Sequence, residues 1–219
     1  SGRVGVVTAS GDGADGVVSY VSGGVNDRLI PTAKNLPPTF SICSVSRYTG
    51  DAKGRILTAT TANWLHGHWN RHAGVTYYTK WVGGSTQPAS VSSSTDWVVM
   101  CGRNVASAGS ISTIVNGATQ SVGAGGTGNC RLGINSYSST ELSDWQLSKV
   151  YVWDGHLPDD VFAQASQSLN DYLAGTSAPG RTSCSNCAVG KYANTSAATQ
   201  CTVALNGALN PLRATGRVS

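Results

Sequence analysis

The sequence predicts an all-β domain with one amphipathic helix laid on it, and three observations lead there. Charged residues make up only 12% of the 219-residue chain while Gly numbers 27, which suits short strands joined by many turns rather than a helical bundle. Runs rich in β-branched and aromatic residues recur between Gly, Asp, Asn and Pro punctuation. One stretch alone, near the end of the main body, spaces its apolar residues at helical period. The length fits one medium domain, or one domain with a small appendage.

Val4–Thr8 and Val17–Val21 read as short Val-rich strands, split by Ser10-Gly11-Asp12-Gly13-Ala14-Asp15-Gly16. That Gly/Asp run fits a hairpin turn and equally a calcium loop, although its spacing lacks a full ligand set. Leu36-Pro37-Pro38 stops the following loop, and Phe40–Tyr48 (FSICSVSRY) begins a core strand with Arg55–Thr58 as its hairpin neighbour. Gly83–Ser94 is a polar loop. Trp97–Arg103 (WVVMCGR) is a second core strand, and Ser112–Asn116 with Gly117 leads into a hairpin. Gln120–Gly128 is a Gly-rich connection, and Arg131–Ile134 is another strand.

The closing stretch is the most structured part of the sequence. In Leu147–Trp153, Val150 and Val152 share one face while Tyr151 and Trp153 take the other. Leu147 breaks that parity, which predicts a bulge or a change of buried face near Lys149. Asp154-Gly155 supplies a turn, and Pro158 suits a first helical position, where its missing N–H is harmless. Asp159 and Asp160 sit at the positive end of the helix dipole. Val161, Phe162, Ala165, Leu169, Tyr172 and Leu173 form one apolar stripe, with Gln164, Gln167, Asn170 and Asp171 on the other side. Gly175 fits a left-handed helix cap. Trp97 and Trp153 are expected in the core.

The net charge of +4 comes from scattered Arg with no basic run, which argues against a nucleic-acid partner. No stretch approaches the ~20 apolar residues of a membrane span. Without an initiator Met or a signal peptide, the chain reads as a mature product or an excised piece. Six Cys without paired CxxC motifs favour an oxidising compartment, and the expected location is extracellular. Asn194-Thr195-Ser196 is the one N-glycosylation sequon.

Candidate chemistry is sparse. Sugar hydrolysis needs two carboxylates facing one another across a glycosidic bond. The chain has a single Glu, Glu141; Asp144 and Asp154 belong to no paired pattern, and Asp159 and Asp160 are helix-start residues. No Gly-x-Ser-x-Gly elbow exposes a nucleophile, so no enzymatic activity is expected. His66 and His68 share one face of a strand, with His72 from the turn. They fit a zinc site, or a polar strand edge whose imidazoles bond to backbone. Calcium and zinc are thus the only cofactors that arise, neither with a full ligand set. Trp64, Trp69, Tyr77, Tyr78 and Trp81 crowd one zone together with His66, His68, Asn70 and Arg71. Aromatic faces beside amide, imidazole and guanidinium groups suit stacking and hydrogen bonding to a sugar. The same aromatics also suit core or interface packing.

These residues carry a resemblance. Phe40-Ser41-Ile42-Cys43 resembles the first core strand of pentraxins, and Val98-Val99-Met100-Cys101 the strand with that family's second cysteine. Ser148–Asp160 resembles their closing strand, Trp turn and Pro-Asp helix start. Together they are similar to a pentraxin or laminin-G-type jelly roll of the concanavalin-like superfamily, over Val4–Leu173. The resemblance implies a two-sheet antiparallel jelly-roll sandwich with one C-terminal helix and a Cys43–Cys101 cross-strand disulfide. The paired-calcium cluster of pentraxins has no counterpart in Gly133–Glu141, which holds one acid. After a Ser/Pro/Gly linker, Cys184-Ser185-Asn186-Cys187 to Cys201 resembles ephrin-receptor-like and tumour-necrosis-factor-receptor-like cysteine-rich modules. That pattern implies a Cys187–Cys201 bridge, with Ala204 where a fourth cysteine would fall, and leaves Cys130 to join Cys184. The expected organisation is a jelly roll over 1–175, a linker over 176–183, a small disulfide-bonded appendage over 184–204 and a tail over 205–219.

This combination resembles the large multi-module surface and fibre proteins of protists and algae. It implies a structural or adhesive module whose partners are other copies of itself, assembled into filaments through lateral contacts and a glycosylated Ser/Thr surface. The alternative is a lectin that binds glycans through the Trp64–Trp81 zone. Ser1-Gly2-Arg3-Val4 is similar to Thr215-Gly216-Arg217-Val218, which fits chance in a Gly/Val-rich chain or one unit of a tandem array.

Overall fold

The computed structural model describes residues 6–31, 35–77, 95–104, 111–122, 128–137, 139–176, 191–192 and 202–203. In chain order the strands are β1 (Val6–Gly11), β2 (Ala14–Gly23), β3 (Phe40–Lys53), β4 (Leu57–Ala59), β5 (Leu65–Trp69), β6 (His72–Tyr77), β7 (Val98–Arg103), β8 (Ile111–Val115), β9 (Ala118–Val122), β10 (Leu132–Ile134) and β11 (Ser143–Asp154). Helix α1 (Asp159–Leu173) follows, then the short pair β12 (Lys191–Tyr192) and β13 (Thr202–Val203). A seven-stranded antiparallel sheet, ordered β1-β2-β11-β3-β7-β8-β9, packs on a four-stranded one, β10-β4-β5-β6. The fold is the all-β sandwich with one helix that the sequence predicts.

Strand β3 explains the layering. Phe40, Ile42 and Tyr48 join the cluster between the sheets, with Ile56, Leu57, Trp64, Leu132, Ile134 and Trp145. Cys43 and Val45 join the cluster beneath the helix, with Val99, Cys101, Phe162, Leu169 and Leu173. Successive side chains leave a strand on opposite faces, so FSICSVS is buried on both sides, under the second sheet and under α1. Cys43 lies directly opposite Cys101 in the β3–β7 register, and the two form a disulfide across 58 residues of sequence. The bridge therefore joins neighbouring strands of one sheet on its helix-covered face.

Arg55–Thr58 is not the hairpin neighbour of β3. Both edges of β3 are occupied, by β11 and by β7. The chain instead crosses at Gly54 into the other sheet, where β4 pairs with β5 and β10. Gly54 passes so close to Glu141 that a Cβ would lie 2.3 Å from its backbone carbon, and the two segments bond through Gly54 N–H to Leu142 O and Arg55 N–H to Glu141 O. The Gly-rich connection also starts later than expected, because Gln120–Val122 completes β9.

The irregularity expected near Lys149 is present as a register shift between Leu147 and Lys149 in the β11–β3 ladder. It lets Trp145, Leu147, Val150 and Val152 all meet the inter-sheet cluster while Tyr151 and Trp153 meet the helix-side cluster. Trp97 is buried, and Trp153 is partly buried against the helix-side cluster. Pro158 occupies the N-cap of α1, and Asp159 pairs with Arg103, which also donates to the carbonyls of Leu157 and Ile111. Gly175 adopts φ 68° past the helix end, as a left-handed cap requires. A Cβ on Gly16 would lie 2.6 Å from Gly175 N, so the helix end rests directly on β2. The Asp12-Gly13 and Asn116-Gly117 turns both carry positive φ, which matches hairpin turns of the primed type. Asp12 is engaged by Arg47 at 2.7 Å, and the hairpin-turn reading of the Gly/Asp run is the one observed.

Cys130 corrects an expectation. It is a free, buried thiol in the inter-sheet cluster, and burial pushes its pKa up to about 11. The expected Cys130–Cys184 bridge is not formed at Cys130; Cys184, Cys187, Cys201 and the sequon Asn194 lie outside the described residues. The appendage is described only as the antiparallel pair β12–β13. Among the described residues no helix is long and apolar enough to cross a membrane. Replacing both Cys43 and Cys101 with Ala should lower unfolding stability by roughly 2–5 kcal/mol in guanidinium titrations. An unchanged midpoint would show that the bridge contributes nothing to the fold.

Candidate functional site

The aromatic and histidine-rich segment folds into the β5–β6 hairpin, and strand parity divides it. Trp64, His66 and His68 turn inward with no exposure, while Trp69 is half-buried and Asn70 and Arg71 are exposed at the tip. Trp69 pairs with His72, so Asn70-Arg71 is a two-residue loop, and its φ values of 48° and 70° match a primed turn. Such a turn favours Gly, and an Arg held left-handed costs about 1–2 kcal/mol. Arg71 N–H donates to Lys53 O at 2.8 Å, which ties the tip to the end of β3.

The inward half forms a buried polar seam against β3 and β7. His66 Nε2 lies 3.2 Å from the carbonyl of Met100, and His68 Nδ1 lies 3.4 Å from Ser46 Oγ. The Tyr48 ring meets His68 edge-on at 4.7 Å, and Trp64 stacks parallel to His66. Burial lowers the His66 pKa to about 4, and burial with the neighbouring His66 lowers that of His68 to about 3. Both rings are therefore neutral at physiological pH. His72 is exposed on the other side of the tip, so the three histidines do not converge. Among the described residues no group of His, Cys, Asp and Glu could hold a metal ion. Trp64, His66 and His68 are core residues rather than ligand contacts, because the second sheet needs that face to pack.

The outward half lines an open groove of about 540 Å³. Its walls are the end of β3 (Asp51, Ala52, Lys53) with Gly54 beyond it, the hairpin tip (Trp69, Asn70, Arg71) and the segment from Ser139 to Leu142. Glu141 organises the floor: it accepts from Trp69 Nε1 at 3.0 Å and pairs with Arg55 Nε at 2.6 Å. Arg55 is buried, stacks 3.8 Å above the Tyr137 ring and donates to Asn63. Nearby, Asp144 accepts backbone N–H groups from Ala52 and Val25, which fixes the β3 end of the groove. A half-buried indole beside an amide, a guanidinium and hydroxyls can stack on and hydrogen-bond to a polar ring.

Of the residues singled out in the sequence, Trp69, Asn70 and Arg71 come together here. Tyr78 and Trp81 lie outside the described residues, and Tyr77 is described only as backbone at the end of β6. Asp51, Lys53, Ser139 and Thr140 are groove residues that the sequence reading missed, because the first two reach the site from the end of β3 and the last two from the bend before β11, not through spacing. The one signal for them was Glu141, the single Glu of the chain. No protein-family model matches the chain, and no curated protein matches it.

The buried histidines give a pH prediction. Their folded pKa values lie below the ordinary 6.5, so between about pH 4 and 6.5 the unfolded chain binds protons that the folded one excludes. Stability is full above pH 6.5 and falls as pH drops through that window, by a total on the order of a few kcal/mol. His156 is displaced in the same direction. Denaturant titrations between pH 7 and 4 should show this loss, and His66→Gln/His68→Gln should flatten it. An equally steep fall in the double variant would place the effect elsewhere.

Proposed function

We propose that this chain is an extracellular structural and adhesive module that associates with copies of itself. The observation that carries the reading is the end of the seven-stranded sheet at β1, which no strand among the described residues pairs on its outer edge. Every residue of β1 is exposed, with Val6 at 77%, and Val17 on β2, nearer the Asp12-Gly13 turn, is 67% exposed. An apolar strand edge left open is a surface for another chain. The Cys43–Cys101 disulfide supports an oxidising, extracellular setting. Groups that often carry chemistry are engaged in holding the fold: Glu141 by Arg55 and Trp69, and His66 and His68 inside the sandwich. Such a module works through contacts and not turnover. Light scattering across a concentration series should show species heavier than the 22.5 kDa chain, with ordered assemblies in negative stain. A strictly monomeric profile at all concentrations would sink the proposal.

A second reading, carbohydrate contact, is favoured by the meeting of Trp69, Asn70 and Arg71 at one groove. Two variants test it on a glycan array. Trp69→Ala should weaken any glycan binding about tenfold or more, the loss of a stacking face. Arg71→Gly should weaken binding too, yet leave the fold as stable or more so, since Gly accepts the left-handed turn. A chain that binds no glycan, or binds equally well in both variants, removes this reading.

A further inference from the structure

We infer that β1 is the joint between copies, pairing antiparallel with β1 of a second copy across a twofold axis. The inference rests on the self-associating reading above and names the surface and geometry of the contact.

The geometry follows from strand direction. Six successive antiparallel pairings link β1 to β2, β11, β3, β7, β8 and β9, so the two edge strands, β1 and β9, run the same way. Stacking copies by simple translation would set β9 of one against β1 of the next as a parallel joint. A twofold axis perpendicular to the sheet sets β1 against β1 and continues the antiparallel ladder, the somewhat stronger pairing. It also closes, since each copy offers the same patch.

The chemistry of β1 fits that role. Val6-Val7-Thr8-Ala9-Ser10-Gly11 contains no charge and no proline, the usual devices that keep an edge strand solitary. Its register with β2 is regular from Val6 to Ala9, and the shift comes only between Ala9 and Gly11, beside the turn. Paired residues on antiparallel strands share a face, so a twofold joint must place one residue opposite itself. Centring on Thr8 or on Ala9 overlaps five residues alike, and Thr8 is the centre that leaves out Gly11 beside the turn: Val6 opposite Ser10, Val7 opposite Ala9, Thr8 opposite Thr8. No like charges meet in that register, and the added strand covers the exposed Val6 and Val7. Asp12, the charge at the strand end, is already neutralised by Arg47.

Thr8→Cys and Thr8→Lys test the joint on the full chain, with Ser168→Cys on the exposed helix face as the collision control. Thr8 is exposed, so these variants should keep the wild-type melting transition. Under mild oxidation Thr8→Cys should form a covalent dimer well beyond the wild-type background, and Ser168→Cys should not. Thr8→Lys, which sets two like charges opposite each other, should raise the dissociation constant of the assembly about tenfold or more. If Ser168→Cys crosslinks as readily as Thr8→Cys, or Thr8→Lys assembles like wild type, β1 is not the joint while the self-associating module stands. If the wild-type chain does not associate at all, both fall together.

Discussion

The structure depends on one strand being buried on both faces. β3 carries Phe40, Ile42 and Tyr48 toward the second sheet and Cys43 and Val45 toward the helix, with β11 and β7 paired along its edges. Over Phe40–Ser46 every residue of β3 is buried, and no polar group there is left to water. Ser41 accepts this constraint by donating to Gly155 O and accepting from Leu157 N–H, so its hydroxyl positions the approach to the helix. Ser46 meets it by facing His68 across the sheets. The Cys43–Cys101 bridge lies on the helix side of the same strand pair, where it ties β3 to β7 beneath the Phe162 cluster. Buried polar groups retain a cost unless they find partners, which is why this strand dictates the identity of what packs on it.

The histidine hairpin shows the same constraint acting on a motif. HGHW looks like ligand chemistry in sequence because two imidazoles and an indole fall together. Parity sends His66 and His68 into the seam opposite Ser46 and Met100, and leaves Trp69 outside with the Asn70-Arg71 turn. The neutral imidazoles behave there as flat, weakly polar core side chains, desolvated and stacked. The groove is assembled from what the core does not use, and its floor is an ion pair between a buried Arg55 and Glu141.

The two sheets differ in width, seven strands against four. The second sheet covers the middle of the first, and the helix covers part of its outer face and ends on β2, so β1 alone projects past both. A sheet that outgrows its cover leaves an apolar edge, and in a protein built for contact that edge is a resource. In one held apart it would be an aggregation hazard.

By itself the sequence determined the all-β composition, the two core strands, the break of parity at Leu147–Lys149, the hairpin at Asn116-Gly117, and the single helix with its apolar stripe. These are local matters: turn chemistry and periodicity act within a few residues, so they are written where they operate. Tertiary structure decided that Arg55–Thr58 leaves β3 for the other sheet, that Trp64, His66 and His68 are core, that Cys130 is a free thiol, and that Asp51, Lys53, Ser139 and Thr140 meet Trp69 around one groove. The reason is that pairing partners and burial belong to long-range register. Which face of β5 is covered depends on Ser46 and Met100, 22 and 34 positions away, and Trp69 meets Glu141 across 72; no spacing within the strand records it.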